Sequence, residues 1–100
     1  FVHDGLEVTT LSAPGHAAAH NCYLVRAPGS RGGSLLISGD LLFAGSVGAG
    51  YFSSAQQDAS LRKVMVAVPR ETIVAPGHGP MTTMHHELTF NPFAPVVGAR

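Results

Sequence analysis

Two Pro-Gly-His tripeptides and one Gly-Asp dipeptide are the residues of this chain whose types and positions could do chemistry. They are Pro14-Gly15-His16, Gly39-Asp40 and Pro76-Gly77-His78. Neutral imidazole and carboxylate are ligand types that zinc and other borderline metals take. A tight Pro-Gly turn also restricts the direction in which the following imidazole points. The three motifs therefore predict part of a metal site made by His16, Asp40 and His78.

Strand-like segments precede these motifs and must position them. Residues 6–11 alternate apolar and polar side chains, residues 20–27 form a second strand, and residues 28–33 are a turn cluster that predicts a hairpin. Residues 35–38 are a continuous apolar run, which is typical of a strand covered on both faces. Residues 72–75 form a short strand before the second Pro-Gly-His turn. Because ligand sites are common where loops leave a rigid scaffold, we expect the three side chains to meet at one edge.

Two helices are predicted in the second half of the chain. Ser54 begins a Ser-x-x-Gln sequence of capping-box form. A stripe of apolar residues at helical spacing follows, and Pro69 ends it because proline cannot continue a helix. That stripe consists of Leu61, Val64, Met65 and Val68. Thr83 is predicted to cap a second, shorter helix that extends through Leu88.

Other polar and aromatic residues have a plainer interpretation beside the functional one. His16 and Asp40 could each be only turn residues, since Asp is a common turn former and a lone His is often structural. We expect His20, four residues after His16, to be exposed rather than to support a metal ligand. Tyr51 and Phe52 follow a glycine-rich loop and could line a substrate pocket, although ordinary packing would also explain them.

Composition bounds the class of protein. The 100 residues suit one domain, and their charged fraction of 12% is about half the usual share, which favours a surface that is partly covered by more protein. Zero net charge and the lack of a basic cluster argue against a nucleic-acid partner, and no apolar run reaches the roughly 20 residues of a membrane span.

The single cysteine, Cys22, excludes an internal disulfide and suits a reducing compartment, so we expect a cytoplasmic location. A start at Phe1 without a signal-like segment leads us to expect a piece of a longer chain.

Three stretches of the sequence, taken in order, resemble the second half of the metallo-β-lactamase superfamily, and most closely its glyoxalase II-like hydrolases. They are residues 13–16 (Ala-Pro-Gly-His), residues 37–46 (Ile-Ser-Gly-Asp-Leu-Leu-Phe-Ala-Gly-Ser) and residues 74–80 (Val-Ala-Pro-Gly-His-Gly-Pro). Met81-Thr82-Thr83, Glu87 and Asn91-Pro92-Phe93 also look like the C-terminal end of that group. The resemblance covers nearly the whole chain.

The resemblance implies an α+β fold, a four-layer αββα sandwich of which this chain supplies one αβ half, with a mainly antiparallel or mixed sheet and two helices. Residues 1–100 would form the C-terminal part of a single domain. The family binds two metal ions, usually zinc and sometimes iron or manganese. By that pattern His16 would complete the first metal site, His78 the second, and Asp40 would bridge both and be the catalytic residue. A hydroxide held between the ions would attack an ester, thioester or lactone carbonyl of a small-molecule substrate.

The family's His-x-His-x-Asp-His motif, which supplies the remaining ligands, is absent from this sequence and would lie upstream of Phe1. We therefore expect the isolated chain to be inactive and the missing N-terminal half of the domain to be its partner. The sequence also lacks the Gly-Arg-Thr-Asp segment of glyoxalase II after Ser46, which weakens a glutathione-thioester assignment. The alternatives are a redox enzyme of the same fold, diiron or sulfur-oxidising, a non-catalytic binding or scaffold relative, and a small free-standing protein whose histidines only form turns.

Overall fold

The structure, a computed structural model, describes residues 2–3, 5–15, 17–27, 33–48 and 52–93. Within them six strands precede the first helix, and two more strands lie between the first helix and the second. The strands are β1 (Val2–His3), β2 (Leu6–Ser12), β3 (Asn21–Arg26), β4 (Ser34–Gly39), β5 (Leu42–Phe43), β6 (Ser46–Val47), β7 (Ile73–Pro76) and β8 (Thr82–Thr83). The helices are α1 (Ser54–Ala67) and α2 (Met84–Phe90).

Six of the strands form one mixed sheet in the order β1-β2-β3-β4-β7-β8. All neighbours in it are antiparallel except β4 and β7, which are parallel and are joined by a crossover that contains α1. The predicted hairpin is present, since β3 and β4 pair with Leu24 opposite Leu36. Strands β5 and β6 form a separate antiparallel pair directly after Asp40. The predicted α+β class with a mixed sheet and two helices is confirmed.

Helix α1 begins one residue earlier than the sequence predicted, because Ser53 rather than Ser54 is its N-cap. Ser53 has an extended backbone, and its hydroxyl accepts a hydrogen bond from the backbone N–H of Gln56. The backbone N–H of Ser53 donates to the oxygen of Gly15 and not to the Gln56 side chain, so the cap is not the reciprocal capping box that the sequence predicted. Thr83 caps α2 as predicted, by accepting from the backbone N–H of His86. Neither helix of the described residues has the length and apolarity needed to cross a membrane.

The core lies between one face of the sheet and the two helices. Alternate side chains of the central strands, Leu24, Leu36 and Val74, are buried in one cluster with apolar side chains from both helices. The helical members of this cluster are Leu61, Val64, Met65, Val68 (the C-cap of α1), Met84 and Leu88. The apolar stripe predicted for α1 is therefore the surface by which it packs on the sheet.

The other face of the sheet is apolar and open in the described residues. Tyr23 lies opposite Ile37 on the neighbouring strand, and Leu35 lies opposite Ile73. Ile37 is 43% exposed and Ile73 is 45% exposed. The expectation that residues 35–38 are covered on both faces is therefore wrong for this chain alone: Leu36 and Ser38 are buried, and Ile37 is not.

Cys22 is fully buried in β3, as predicted for a packed strand thiol. Its Sγ lies 3.6 Å from the backbone oxygen of Ser38, to which it donates. Burial raises the pKa of the thiol from its usual value of 9.0 to about 12, despite an opposing effect of Lys63. The thiol is therefore neutral at physiological pH, which makes it a poor nucleophile.

We expect Cys22 to react with iodoacetamide at pH 8 at least about tenfold more slowly in the native protein than in urea, because only the thiolate attacks the reagent. Peptide mass spectrometry measures the rate at this residue. Since the folded pKa is the higher one, the native state binds more protons, and stability should fall as the pH rises from 9.0 towards about 12. Equal labelling of native and unfolded protein would contradict the burial of this thiol.

Candidate metal centre

Asp40 and His78 come together at the edge of the sheet where β4 and β7 end. Because these two strands are parallel, their C-terminal ends lie at the same edge, and Gly39 is paired with Pro76. Asp40 Oδ1 and His78 Nδ1 are 3.3 Å apart. The His78 side chain is 82% exposed and that of Asp40 is 38% exposed, so both can be reached from solvent.

A backbone hydrogen bond joins the turns that carry these two side chains. The N–H of Gly77 donates to the backbone oxygen of Gly39 at 2.8 Å. A β-carbon at position 77 would lie 3.2 Å from that oxygen and 3.4 Å from Asp40 Oδ1. A side chain at position 77 would therefore crowd the first turn, and glycine favours the close approach of the two turns.

His20 lies against the same turn, which corrects the expectation that it is exposed. Its ring is half-buried, and Nε2 accepts a hydrogen bond of 3.4 Å from the backbone N–H of Asp40. The bond is long, so it contributes less than a well-formed one. It nevertheless places an imidazole behind the Asp40 backbone, an arrangement for which local sequence gives no signal, because the two residues are 20 positions apart.

Phe43 supplies one wall of the site. It belongs to β5, three residues after Asp40, and its ring meets the His78 ring edge-on, with centroids 6.2 Å apart and an interplanar angle of 69°. Such contacts are favourable and restrict the orientation of both rings. Phe43 is part of an apolar run, and no local pattern predicts a role of its own for it.

A buried carboxylate, Glu87 of α2, holds the β5–β6 hairpin in place. It accepts hydrogen bonds from the backbone N–H of Gly45 (2.8 Å), the hydroxyl of Thr82 (2.8 Å) and the amide of Asn91 (2.9 Å). Asn91 also donates to the backbone oxygen of Ser46 at 2.9 Å. Buried polar groups are stable only when they are paired in this way. The network fixes the hairpin that carries Phe43 and thereby the wall of the site.

The donor chemistry of Asp40 and His78 fits a divalent metal ion. Two ligands on one tetrahedral ion, each about 2.1 Å from it, lie about 3.4 Å apart, and the observed separation is 3.3 Å. Among the described residues, however, no three His, Cys, Asp or Glu side chains are close enough to hold an ion.

Two of the predicted site residues, the third ligand His16 and the pocket residue Tyr51, lie outside the described residues. Phe52 is beside the first turn, where its N–H donates to the oxygen of Gly15, and its side chain is 59% exposed. The roles of His16, Asp40, His78, Tyr51 and Phe52 stay predictions.

We expect Glu87→Ala to lower the free energy of unfolding by about 3 kcal/mol, because it removes a buried carboxylate that accepts three hydrogen bonds. Urea denaturation followed by circular dichroism measures the change. Glu71→Ala is the matched control: Glu71 is exposed, so we expect a change within about 0.5 kcal/mol. Equal effects of the two substitutions would show that the Glu87 network does not stabilise the fold.

Comparison with known sequences finds relatives that are named as metallo-hydrolases. No family model matches the chain. Over 87 residues it is 34% identical to the probable metallo-hydrolase YqgX of Bacillus subtilis (strain 168), a match that covers 84% of this chain and 39% of that protein. Over 74 residues it is 34% identical to the probable hydroxyacylglutathione hydrolase glo2 of Schizosaccharomyces pombe, a match that covers 73% of this chain and 28% of that protein. The chain thus spans well under half the length of these curated relatives.

Solved structures give the fold. The chain superposes on TTHA1623, crystallised in a di-iron-bound form, with a TM-score of 0.70 and 34% identity, covering 91% of this chain and 46% of that one. It superposes on a metallo-β-lactamase from Staphylococcus aureus with a TM-score of 0.78 and 24% identity, covering 91% of this chain and 31% of that one. Order of motifs, fold and relatives agree: the chain belongs to the metallo-β-lactamase superfamily, among members that resemble the glyoxalase II-like hydrolases.

Proposed function

We propose that the full-length protein is a metal-dependent hydrolase that cleaves an ester, thioester or lactone bond of a small-molecule substrate. The observation that carries the proposal is the 3.3 Å approach of Asp40 Oδ1 to His78 Nδ1 at the end of two parallel strands. The similarity to a probable metallo-hydrolase and to a probable hydroxyacylglutathione hydrolase supports the same reaction class.

In this proposal Asp40, His78 and His16 are the ligands that this chain contributes. Divalent ions in such a site lower the pKa of water and polarise the substrate carbonyl. Asp40 would be a ligand of both ions, and each histidine would be a ligand of one. The hydrogen bond between Gly77 and Gly39 would keep the two turns at a fixed separation. Zinc is the expected metal, and iron or manganese would also suit this donor set.

We further propose that residues 1–100 are the C-terminal part of one domain whose remaining ligands come from upstream sequence. The matched relatives are more than twice as long as the matched segment. The apolar sheet face around Tyr23, Ile37 and Ile73 is open in the described residues and would receive the second αβ layer. The chain has few charged residues to cover its surface, so this sheet face stays apolar where it is open. Packing of a second half against it would bury that apolar area.

A redox enzyme is the second candidate, and the observation that favours it is the di-iron-bound form of TTHA1623. The same carboxylate and imidazole ligands bind iron as well as zinc. Metal analysis of the full-length protein purified from its own organism, together with oxygen-consumption assays, separates the two candidates. Iron with oxygen consumption would support the redox enzyme, and zinc with hydrolysis under anaerobic conditions would support the hydrolase.

We expect Asp40→Ala to remove at least one metal ion per molecule from the full-length protein. The rate of hydrolysis should fall at least about a hundredfold, because a bound metal ion stabilises the transition state by several kcal/mol. Inductively coupled plasma mass spectrometry and hydrolysis of model thioesters measure the two effects. Asp58→Ala is the control, since Asp58 is an exposed carboxylate on α1. Unchanged metal content in Asp40→Ala would show that Asp40 is not a metal ligand.

We expect Ile37→Lys to destabilise the full-length protein by about 2 kcal/mol or more, because a covered sheet face would bury an unpaired charge. The matched control is Val66→Lys on the outer side of α1, where the side chain is 68% exposed. Denaturant midpoints measure both changes. Equal midpoints for the two variants would contradict a second layer over this sheet face.

A further inference from the structure

His20 lies across from Asp40 beyond the end of two paired strands. Strands β3 and β4 pair with Tyr23 opposite Ile37. His20 is three residues before Tyr23 and Asp40 is three residues after Ile37, so the same antiparallel register, continued, sets His20 opposite Asp40. The backbone oxygen of His20 accepts a hydrogen bond of 2.8 Å from the N–H of Ala13, which is fully buried. The sheet therefore fixes the backbone from which this imidazole projects.

The ring of His20 fits a space that Gly39 leaves. A β-carbon at position 39 would lie 2.9 Å from Nε2 of the ring and 3.4 Å from its Cε1. Gly39 also has a φ of +56°, a conformation that favours glycine. Nδ1 of the ring is shielded from solvent, and Nε2 accepts the hydrogen bond from the backbone N–H of Asp40. The imidazole is thus packed against the backbone of the turn that carries Asp40.

That turn is the one at which the two described candidate ligands meet. The backbone oxygen of Gly39 accepts from the N–H of Gly77, and Asp40 Oδ1 lies 3.3 Å from His78 Nδ1. Residues that hold a metal ligand through hydrogen bonds tune the affinity of the site, because a small displacement of the ligand weakens its bond to the ion. The His20 ring contacts the backbone on which the position of the Asp40 carboxylate depends.

We propose that His20 is a positioning residue of the metal centre, whose ring holds the backbone of Asp40 so that its carboxylate stays beside His78. The inference rests on the proposed function, because it requires Asp40 to bind a metal ion. It assigns a role to a histidine that is neither a predicted ligand nor part of a Pro-Gly-His motif. His20 acts through Asp40 and does not itself contact the substrate.

The first measurement compares His20→Leu with the wild type in the full-length protein after metal has been removed with a chelator. Leucine fills part of the space of the imidazole but accepts no hydrogen bond. We expect the Asp40 amide to exchange its hydrogen about three- to tenfold faster in His20→Leu, as measured by NMR, because this N–H loses the ring as an acceptor. The amide of Leu41, which donates to the backbone oxygen of Ser38 at 3.1 Å, should exchange at the wild-type rate.

The second measurement is metal affinity. We expect His20→Leu to weaken Zn²⁺ and Co²⁺ binding about tenfold in competition with a chelator, because Asp40 is less well held. The visible spectrum of the Co²⁺ form should also change, since it reports the arrangement of the ligands. His20→Gln should recover most of the affinity, because the amide oxygen of glutamine can reach the position of Nε2. His86→Leu is the matched control, an exposed histidine of α2 that should behave as the wild type.

Two results would overturn the inference and leave the proposed function intact. The first is wild-type metal affinity in folded His20→Leu, whatever the exchange rate of Asp40. The second is weaker binding in which Asp40 exchanges no faster than in the wild type, or in which Leu41 is accelerated equally, because the effect would then not depend on the contact with Asp40. If His20→Leu does not fold, His20→Asn replaces it with the same expectations, since its shorter amide does not reach the Asp40 N–H.

The control variants and the wild type decide the remaining outcomes. Equal loss of affinity in His20→Leu and His20→Gln overturns the inference, because the acceptor would then have no part in it. Equal loss in His20→Leu and His86→Leu overturns it as well. A wild-type full-length protein that binds no metal overturns the proposed function and this inference with it.

Discussion

The parallel pairing of β4 with β7 is the constraint on which the rest of this structure depends. Parallel neighbours need a long crossover, and here α1 lies in that crossover and packs on the sheet. Because the two strands run in the same direction, the residues that follow them meet at one edge. Leu36 lies beside Val74, and a register shift between Ile37 and Gly39 places Gly39 beside Pro76. The carboxylate of Asp40 and the ring of His78 are thereby brought into contact.

Helix α1 does two different things with its two sides. Its apolar side, with Leu61 and Val64, is buried against the sheet. On its polar side, Ser60 and Gln57 are almost as deeply buried. Ser60 Oγ and Gln57 Nε2 both donate to backbone oxygens of the loops that lead to or follow the predicted ligands. One helix thereby stabilises the sheet and fixes the loops at its edge.

The second helix supports the site from behind. Glu87 accepts a hydrogen bond from a backbone N–H of the β5–β6 hairpin, and Asn91 donates one to a backbone oxygen of it. The hairpin in turn places Phe43 against His78. On the opposite face of the sheet, Ile37 and Ile73 remain open in the described residues. The described residues are therefore well packed on the helix side of the sheet and open on the other side, where the proposed second αβ half would pack.

The sequence by itself determined the local elements and the chemistry of the candidate ligands. Period-two and helical spacing of apolar residues, the Thr83 cap and the Pro-Gly turns act over a few residues, so strands, helices and motif positions could be derived from them. The local sequence could not show that Ser53 and not Ser54 caps α1, because each serine has a glutamine three residues later. Only the tertiary structure decided that His20 lies behind Asp40, that α1 binds the carbonyl groups before His16, and that one face of β4 is open. The physical reason is that these outcomes depend on hydrogen bonds and burial between residues 20 to 51 positions apart, which no local pattern encodes.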